Sequence, residues 1–121
     1  MNDDIRSLLD PSLVRVLLEF RSARNWDQFH TPKNLASAIT VEAAELLEHF
    51  VWDVDTMPQA QPARDHASLE AEVADIVILL TYLTHDLSID VGAAVRAKVA
   101  ANAAKYPVEA SYGSNRKYTD L

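Results

Sequence analysis

The chain has 121 residues, enough for one domain, and a formal net charge of −7. That charge argues against a sequence-independent grip on DNA or RNA, whose affinity comes from Lys and Arg displacing counterions. Only two glycines occur, which excludes a Gly-rich phosphate loop, and the absence of cysteine excludes disulfides, thiolate nucleophiles and Cys-ligated zinc.

Helices are the default for such a composition. The start, MNDDIRSLLD, is acidic and has no apolar h-region, so no signal peptide is expected, and no apolar run reaches the roughly 20 residues of a membrane span. A soluble protein of a reducing cytoplasm, without a membrane partner, is the expectation. Asp10-Pro11 reads as an N-cap followed by proline at the first helical position, and Leu13, Val14, Leu17 and Leu18 recur at helical spacing, which predicts a first helix near 11–24. RNWDQFH reads as a loop. Thr31-Pro32 then starts a second helix of about 32–51 by the same cap-and-proline device. Residues 53–67 hold Pro58 and Pro62 without an apolar period and read as a connector. Ser68 is the expected cap of a third helix of about 69–87, and Asp90 of a fourth that Pro107 stops. The tail, VEASYGSNRKYTDL, predicts no regular helix.

The resulting expectation is an all-α protein, an antiparallel bundle of about four main helices forming a single domain over 1–121. The third helix is apolar nearly all round, and a chain this small covers such a helix with difficulty, so the bundle should be completed by homo-oligomerisation.

Charge is uneven along the chain. Residues 42–75 hold nine Asp or Glu against one Arg, whereas residues 93–121 hold five Lys or Arg against two acids. Within the acidic region Glu42 and Glu45 lie three apart, as do Glu72 and Asp75, so each pair projects from one face of its helix. Charged residues on helices usually face water, and Glu48 and Glu70 are read that way. Asp75 differs, because it stands in VADIVILL, and Asp is a poor mid-helix choice without a specific task. Where the second and third helices pack, the four acids can converge. Unpaired they would cost many kcal/mol, and Arg64 is the one nearby cation, so a divalent metal ion is the missing partner. An all-oxygen donor set suits Mg²⁺, with Mn²⁺ as a substitute. A di-iron site is disfavoured, since the residue three before His49 is Leu46 rather than Glu.

The order Glu42-x-x-Glu45 then Glu72-x-x-Asp75 resembles the E-x-x-E…E-x-x-D signature of the MazG-like nucleoside triphosphate pyrophosphohydrolases. FRSARNWDQFHTPKNL (20–35), the tryptophan of EHFVWD, KVAANAAKYP (98–107) and SNRKYTDL (114–121) resemble the family's dCTP pyrophosphatase branch. The resemblance implies an all-α dimer or dimer-of-dimers tetramer, with Mg²⁺ held by Glu42, Glu45, Glu72 and Asp75. It implies cleavage of a nucleoside triphosphate between the α- and β-phosphates; whichever of the four acids keeps a free oxygen, Glu45 being the choice, could orient or deprotonate the attacking water. It further implies phosphate contacts from Lys98, Asn102 and Lys105, a tail whose Arg116, Lys117 and Tyr118 fold over the phosphates, and base contacts from Trp26 and Trp52 with His30 as a polar neighbour. Two positions depart from the pattern: Leu17 stands where vertebrate dCTP-preferring members carry His, and Leu79 where they carry Tyr. The base preference is therefore open, and dUTP or phosphoribosyl-ATP are alternative substrates within the superfamily. From another class, a non-catalytic helical interaction module remains as the rival reading.

Overall fold

The structure is a computed structural model that describes residues 7–52 and 65–121. Among these, five α-helices occur and no strand: α1 (Pro11–Ala23), α2 (Pro32–Glu48), α3 (His66–Asp86), α4 (Val91–Lys105) and the single turn α5 (Val108–Ser111). The all-α expectation holds. Each long helix begins where a side chain satisfies an otherwise unpaired amide. Asp10 accepts from Leu13 N, Thr31 from Asn34 N and Asp90 from Ala93 N. For α3 the cap is Asp65 rather than Ser68. The Asp65 carboxylate accepts both the backbone N–H and the hydroxyl of Ser68, so α3 starts three residues before the expected 69. The predicted connector 53–67 otherwise lies outside the described residues, apart from Asp65, His66 and Ala67. RNWDQFH contains one 3-10 turn, Asp27–Phe29, and the tail forms α5 and a second such turn, Tyr118–Asp120.

α2 runs antiparallel to α3, since the His30 ring meets Tyr82 at 5.1 Å at one end and Glu42 approaches Glu72 further along. α1 runs parallel to α3. Arg21 donates two 2.8 Å hydrogen bonds to Asp86, and the Tyr82 hydroxyl donates to the Leu17 carbonyl at 2.7 Å. The fully covered side chains gather here: Val14, Leu35, Thr81, Tyr82 and Arg21. Thr81 is tolerated at 1 % exposure because its hydroxyl donates to the Val77 carbonyl one turn earlier.

Arg21 is 5 % exposed, lies 4.6 Å from the Tyr82 ring centroid, and relies on Asp86 to offset its buried charge. Asp86 is the last residue of α3, where the helix dipole disfavours an acid, and its bidentate pairing is the compensation. Asp86→Ala should therefore destabilise the protein by about 2–3 kcal/mol, the cost of stranding a charged group that loses its hydrogen bonds. A chemical denaturation midpoint unchanged from wild type would contradict this role.

α4 departs from α3 at 99° instead of lying alongside it. The turn is a Schellman motif, with Ile89 N donating to Thr84 O at 2.8 Å and Ser88 N to His85 O at 3.1 Å. Ser88 takes a left-handed φ of 53°, which glycine would adopt without strain. Asp90 caps α4 immediately afterwards. No residue of α4 is buried, and Val95 and Val99 are 54 % and 61 % exposed. The described residues thus form an up-down-up set of three long helices with a fourth projecting from its end.

Candidate functional site

α2 and α3 bring three of the four expected carboxylates together. Glu42, Glu45 and Glu72 are each half-buried, and one oxygen from each lies within 4.8 Å of the others. The i,i+3 spacing puts Glu42 and Glu45 on one face of α2, and the antiparallel packing carries Glu72 of α3 up to them. Asp75 is exposed and stands outside that tight trio, yet its charge is felt at Glu42. So helix α3, in one chain, is only partly covered on its acidic side.

The trio is electrostatically strained. Glu42 is pushed up to about 7, first by a hydrogen bond to Glu45 available only with a proton between them, then by partial burial, by a like bond to Glu72, and by the charges of Glu45 and Asp75. With all three carboxylates ionised, Glu42 Oε2 and Glu72 Oε2 are buried acceptors that no donor reaches. Two sequestered acceptors with no donor fit a cation, and a purely carboxylate donor set fits a hard one. These residues can hold a metal ion.

The raised carboxyl has a pH consequence. Folded protein keeps a proton on Glu42 that the unfolded chain loses near 4.5, so this group favours folding in acid, and the contribution is lost as pH rises through about 7. Without divalent ions, Glu42→Gln should gain melting temperature relative to wild type between about pH 4.5 and 7 and hold that gain above. A difference curve flat with pH would show that Glu42 is not strained.

The remaining expected residues divide into groups. Lys98 and Asn102 lie exposed on α4, away from the packed pairs α2–α3 and α1–α3. Lys105 sits with Nζ 4.8 Å over the Tyr118 ring, and Tyr118 meets Tyr106 edge-on at 5.9 Å, so the tail folds back on the end of α4. Arg116, its N–H bonded to Ser114 Oγ, borders an open depression of about 910 Å³ with Asp120, and Lys117 starts the final turn. No hydrogen bond or ion pair joins these six to the carboxylates among the described residues. Trp26 is 43 % exposed, edge-on to Phe20 at 5.7 Å, with Arg24 stacked on Phe20. Trp52 is 92 % exposed, so neither tryptophan is a core residue.

His30 is half-buried against Tyr82, with Nδ1 enclosed and unpartnered; burial, then the Arg21 charge, holds its pKa below the usual value. Leu17 faces an apolar groove between α1 and α3, and Leu79 is half-buried on α3. Sequence reasoning singled out His30 but not its neighbours Arg21, Tyr82 and Asp86. The signal available was Asp86 itself, an acid at a helix C-terminus.

Residues 37–121 match the MazG-like family. The chain is 43% identical to dCTP pyrophosphatase 1 of Mus musculus over 109 residues, covering 88% of this chain and 64% of that protein. It is 38% identical to dCTP pyrophosphatase 1 of Homo sapiens over the same length, with the same coverage of each chain. The chain thus spans 64% of the length of these relatives. Among solved structures, a pyrophosphatase from Archaeoglobus fulgidus DSM 4304 superposes with a TM-score of 0.69 at 37% identity, covering 79% of this chain and 90% of that one.

Proposed function

This chain belongs to the MazG-like family, and on that premise we propose that it hydrolyses nucleoside triphosphates between the α- and β-phosphates, releasing a nucleoside monophosphate and pyrophosphate. The observation that carries the reading is the cluster of Glu42, Glu45 and Glu72 with its two buried, unpartnered oxygens. With Asp75 beside them, these residues would hold Mg²⁺, with Mn²⁺ as a substitute. The ion supplies neutralisation of the negative charge that builds up on phosphate oxygens during displacement. An acidic site repels a triphosphate, so substrate and metal are expected to bind together.

Glu45, half-buried in the trio, is our choice for orienting the attacking water. In the reaction a water oxygen bonds to the α-phosphorus, the bond from that phosphorus to the α–β bridging oxygen breaks, and Glu45 takes the water's proton. Lys98, Asn102, Lys105, Arg116, Lys117 and Tyr118 are assigned to the phosphates, and Trp26, Trp52 and His30 to the base. Because α4 projects from its own chain, and the apolar side chains Leu13, Val73, Val95 and Val99 are exposed, the working unit is a homo-oligomer, a dimer or a dimer-of-dimers tetramer. The 1–121 chain acts as one domain. No helix among the described residues is long and apolar enough to cross a membrane. The absence of cysteine suits a reducing cytoplasm, where free nucleotides are found.

The base is assigned to a pyrimidine or modified pyrimidine deoxynucleotide, dCTP first, by the relatives' names. The test is pyrophosphate release from a panel of dNTPs, dUTP and phosphoribosyl-ATP, with Mg²⁺ and with a chelator. Release from dCTP with metal alone supports the reading; preference for dUTP or phosphoribosyl-ATP moves the substrate within the superfamily; no release from any member leaves a non-catalytic helical module. Trp52→Ala should raise KM about tenfold or more, since stacking on one aromatic ring is worth about 1–3 kcal/mol per base. Its melting temperature should stay near wild type, because an exposed side chain contributes little to stability. An unchanged KM would remove Trp52 from the base site.

A further inference from the structure

Residues 24–30, RNWDQFH, join α1 to α2 and carry Trp26 and His30, two of the side chains assigned above to the base. We propose that the buried Arg21–Asp86 pair is the positioning device for this loop, fixing Trp26 and His30 against α3 before a nucleotide arrives, so that the base meets a site already built. The inference rests on the nucleotide reading above and adds to it two positioning residues, which act through Trp26 and His30 rather than on the substrate.

The loop cannot hold its own shape. Residues 24–29 are all exposed, Phe29 at 60 %, so they bury too little apolar surface to order themselves. Asn25 takes a left-handed φ of 52°, a conformation that persists only where the surroundings impose it. The anchors converge on Arg21. Its carbonyl accepts the N–H groups of Arg24 at 3.2 Å and Trp26 at 3.1 Å. Its Nε lies 3.8 Å from Oδ1 of Asp27, the first residue of the 3-10 turn. Its guanidinium lies 4.6 Å from the Tyr82 ring centroid, and His30 leans on that same ring at 5.1 Å. The far end of the loop is tied to α2, where the Asn34 amide donates to the Phe29 carbonyl at 2.9 Å.

Arg21 is aimed in its turn by Asp86. Two parallel 2.8 Å bonds fix the plane of a guanidinium as well as its place, which a single point charge such as Lys could not do. A pair this deeply buried adds little net stability over apolar residues of the same size, because desolvation offsets the Coulombic gain, so direction is what the fork supplies. Direction matters at His30. Its Nδ1 is enclosed, so a ligand can be met only through Nε2, and the tilt of the ring on Tyr82 decides where Nε2 points. A loop ordered in advance spares the nucleotide the cost of ordering it on binding. The loss of such a device is read in KM, since the base takes no part in breaking the bond at phosphorus.

Two variants test this. Arg21→Lys keeps the charge and gives up the planar fork. Arg21→Met combined with Asp86→Leu removes both buried charges together, and its melting temperature should stay near wild type, as apolar replacement of a buried ion pair often allows. For each, KM for dCTP with Mg²⁺ should rise about fivefold or more while kcat stays within about threefold of wild type. Built into a Trp26→Ala/His30→Ala background, either change should raise KM by less than about twofold further, because the side chains to be positioned are gone. A purely structural pair gives the opposite pattern: kcat falls in step with the helical signal in circular dichroism, and KM does not move. That pattern overturns the proposal, as does a wild-type KM in the Met/Leu variant or an equal rise of KM in the Trp26→Ala/His30→Ala background. Where one variant does not fold the other decides, and failure of both to fold assigns the pair to folding and equally overturns the proposal. Any of these results with an active wild type leaves the proposed hydrolysis standing; a wild type that releases no pyrophosphate from any nucleotide overturns the hydrolysis and this inference together.

Discussion

Glu72→Gln should lower turnover at least about a hundredfold while raising the melting temperature of the metal-free protein. Both effects have one origin. In the wild type above about pH 7, where Glu42 has lost its proton, Glu72 Oε2 is buried without a donor beside Glu42 and Glu45, so three acceptors crowd one another. The Gln amide would donate where the carboxylate could only accept, converting a repulsive contact into a hydrogen bond and removing one charge from the cluster. The same change takes a ligand from the cation that the proposed chemistry requires. Stabilising phosphoryl charge through a metal is worth several kcal/mol, and each 1.36 kcal/mol is a factor of ten in rate. A steady-state assay at saturating Mg²⁺ together with a melting curve in chelator separates the two effects. Near-wild-type turnover in the variant would remove Glu72 from the site, and a fall in metal-free stability would show that the trio is not strained.

The second large effect is ligation. A ligand present at about 100 times its dissociation constant adds about 2.7 kcal/mol to a protein that binds it only when folded. For a domain of this size that corresponds to roughly ten degrees of melting temperature. Mg²⁺ alone should give a modest rise, because Glu42 first has to release its proton. Mg²⁺ with a non-hydrolysable triphosphate should give the full shift, since phosphate oxygens complete what the carboxylates leave open. Triphosphate with chelator should give little, because like charges then face each other. The series needs constant ionic strength, as salt alone screens the cluster. Equal shifts with and without available metal would mean that the carboxylates do not hold an ion.

What could be read from the sequence was whatever is written locally. Asp10-Pro11, Thr31-Pro32 and Asp90 announced three helix starts correctly, because capping depends on a few adjacent residues. Asp65 and Ser68 are both competent caps three residues apart, and spacing alone could not decide that the carboxylate of one would hold the amide of the other. The carboxylate pairs were legible for the same reason as the caps, since a step of three residues fixes a shared face; that Glu72 rather than Asp75 closes the trio required the packing of α2 on α3. Arg21 and Asp86 are 65 positions apart, and no local pattern connects them. The direction of α4 was equally hidden. It follows from a left-handed φ at Ser88, a residue type that adopts this conformation less readily than glycine and so gives no warning of it.

That turn leaves no slack. The Thr84 and His85 carbonyls are engaged by Ile89 and Ser88, and Asp90 already belongs to the next cap, so α4 cannot swing down along α3 without breaking bonds at both helix ends. A chain with a flexible linker would respond to dilution by collapsing its last helix over its own apolar surface. This one has no such refuge. Under the proposed self-assembly its stability is tied to its own abundance, and its melting temperature should fall as the protein is diluted.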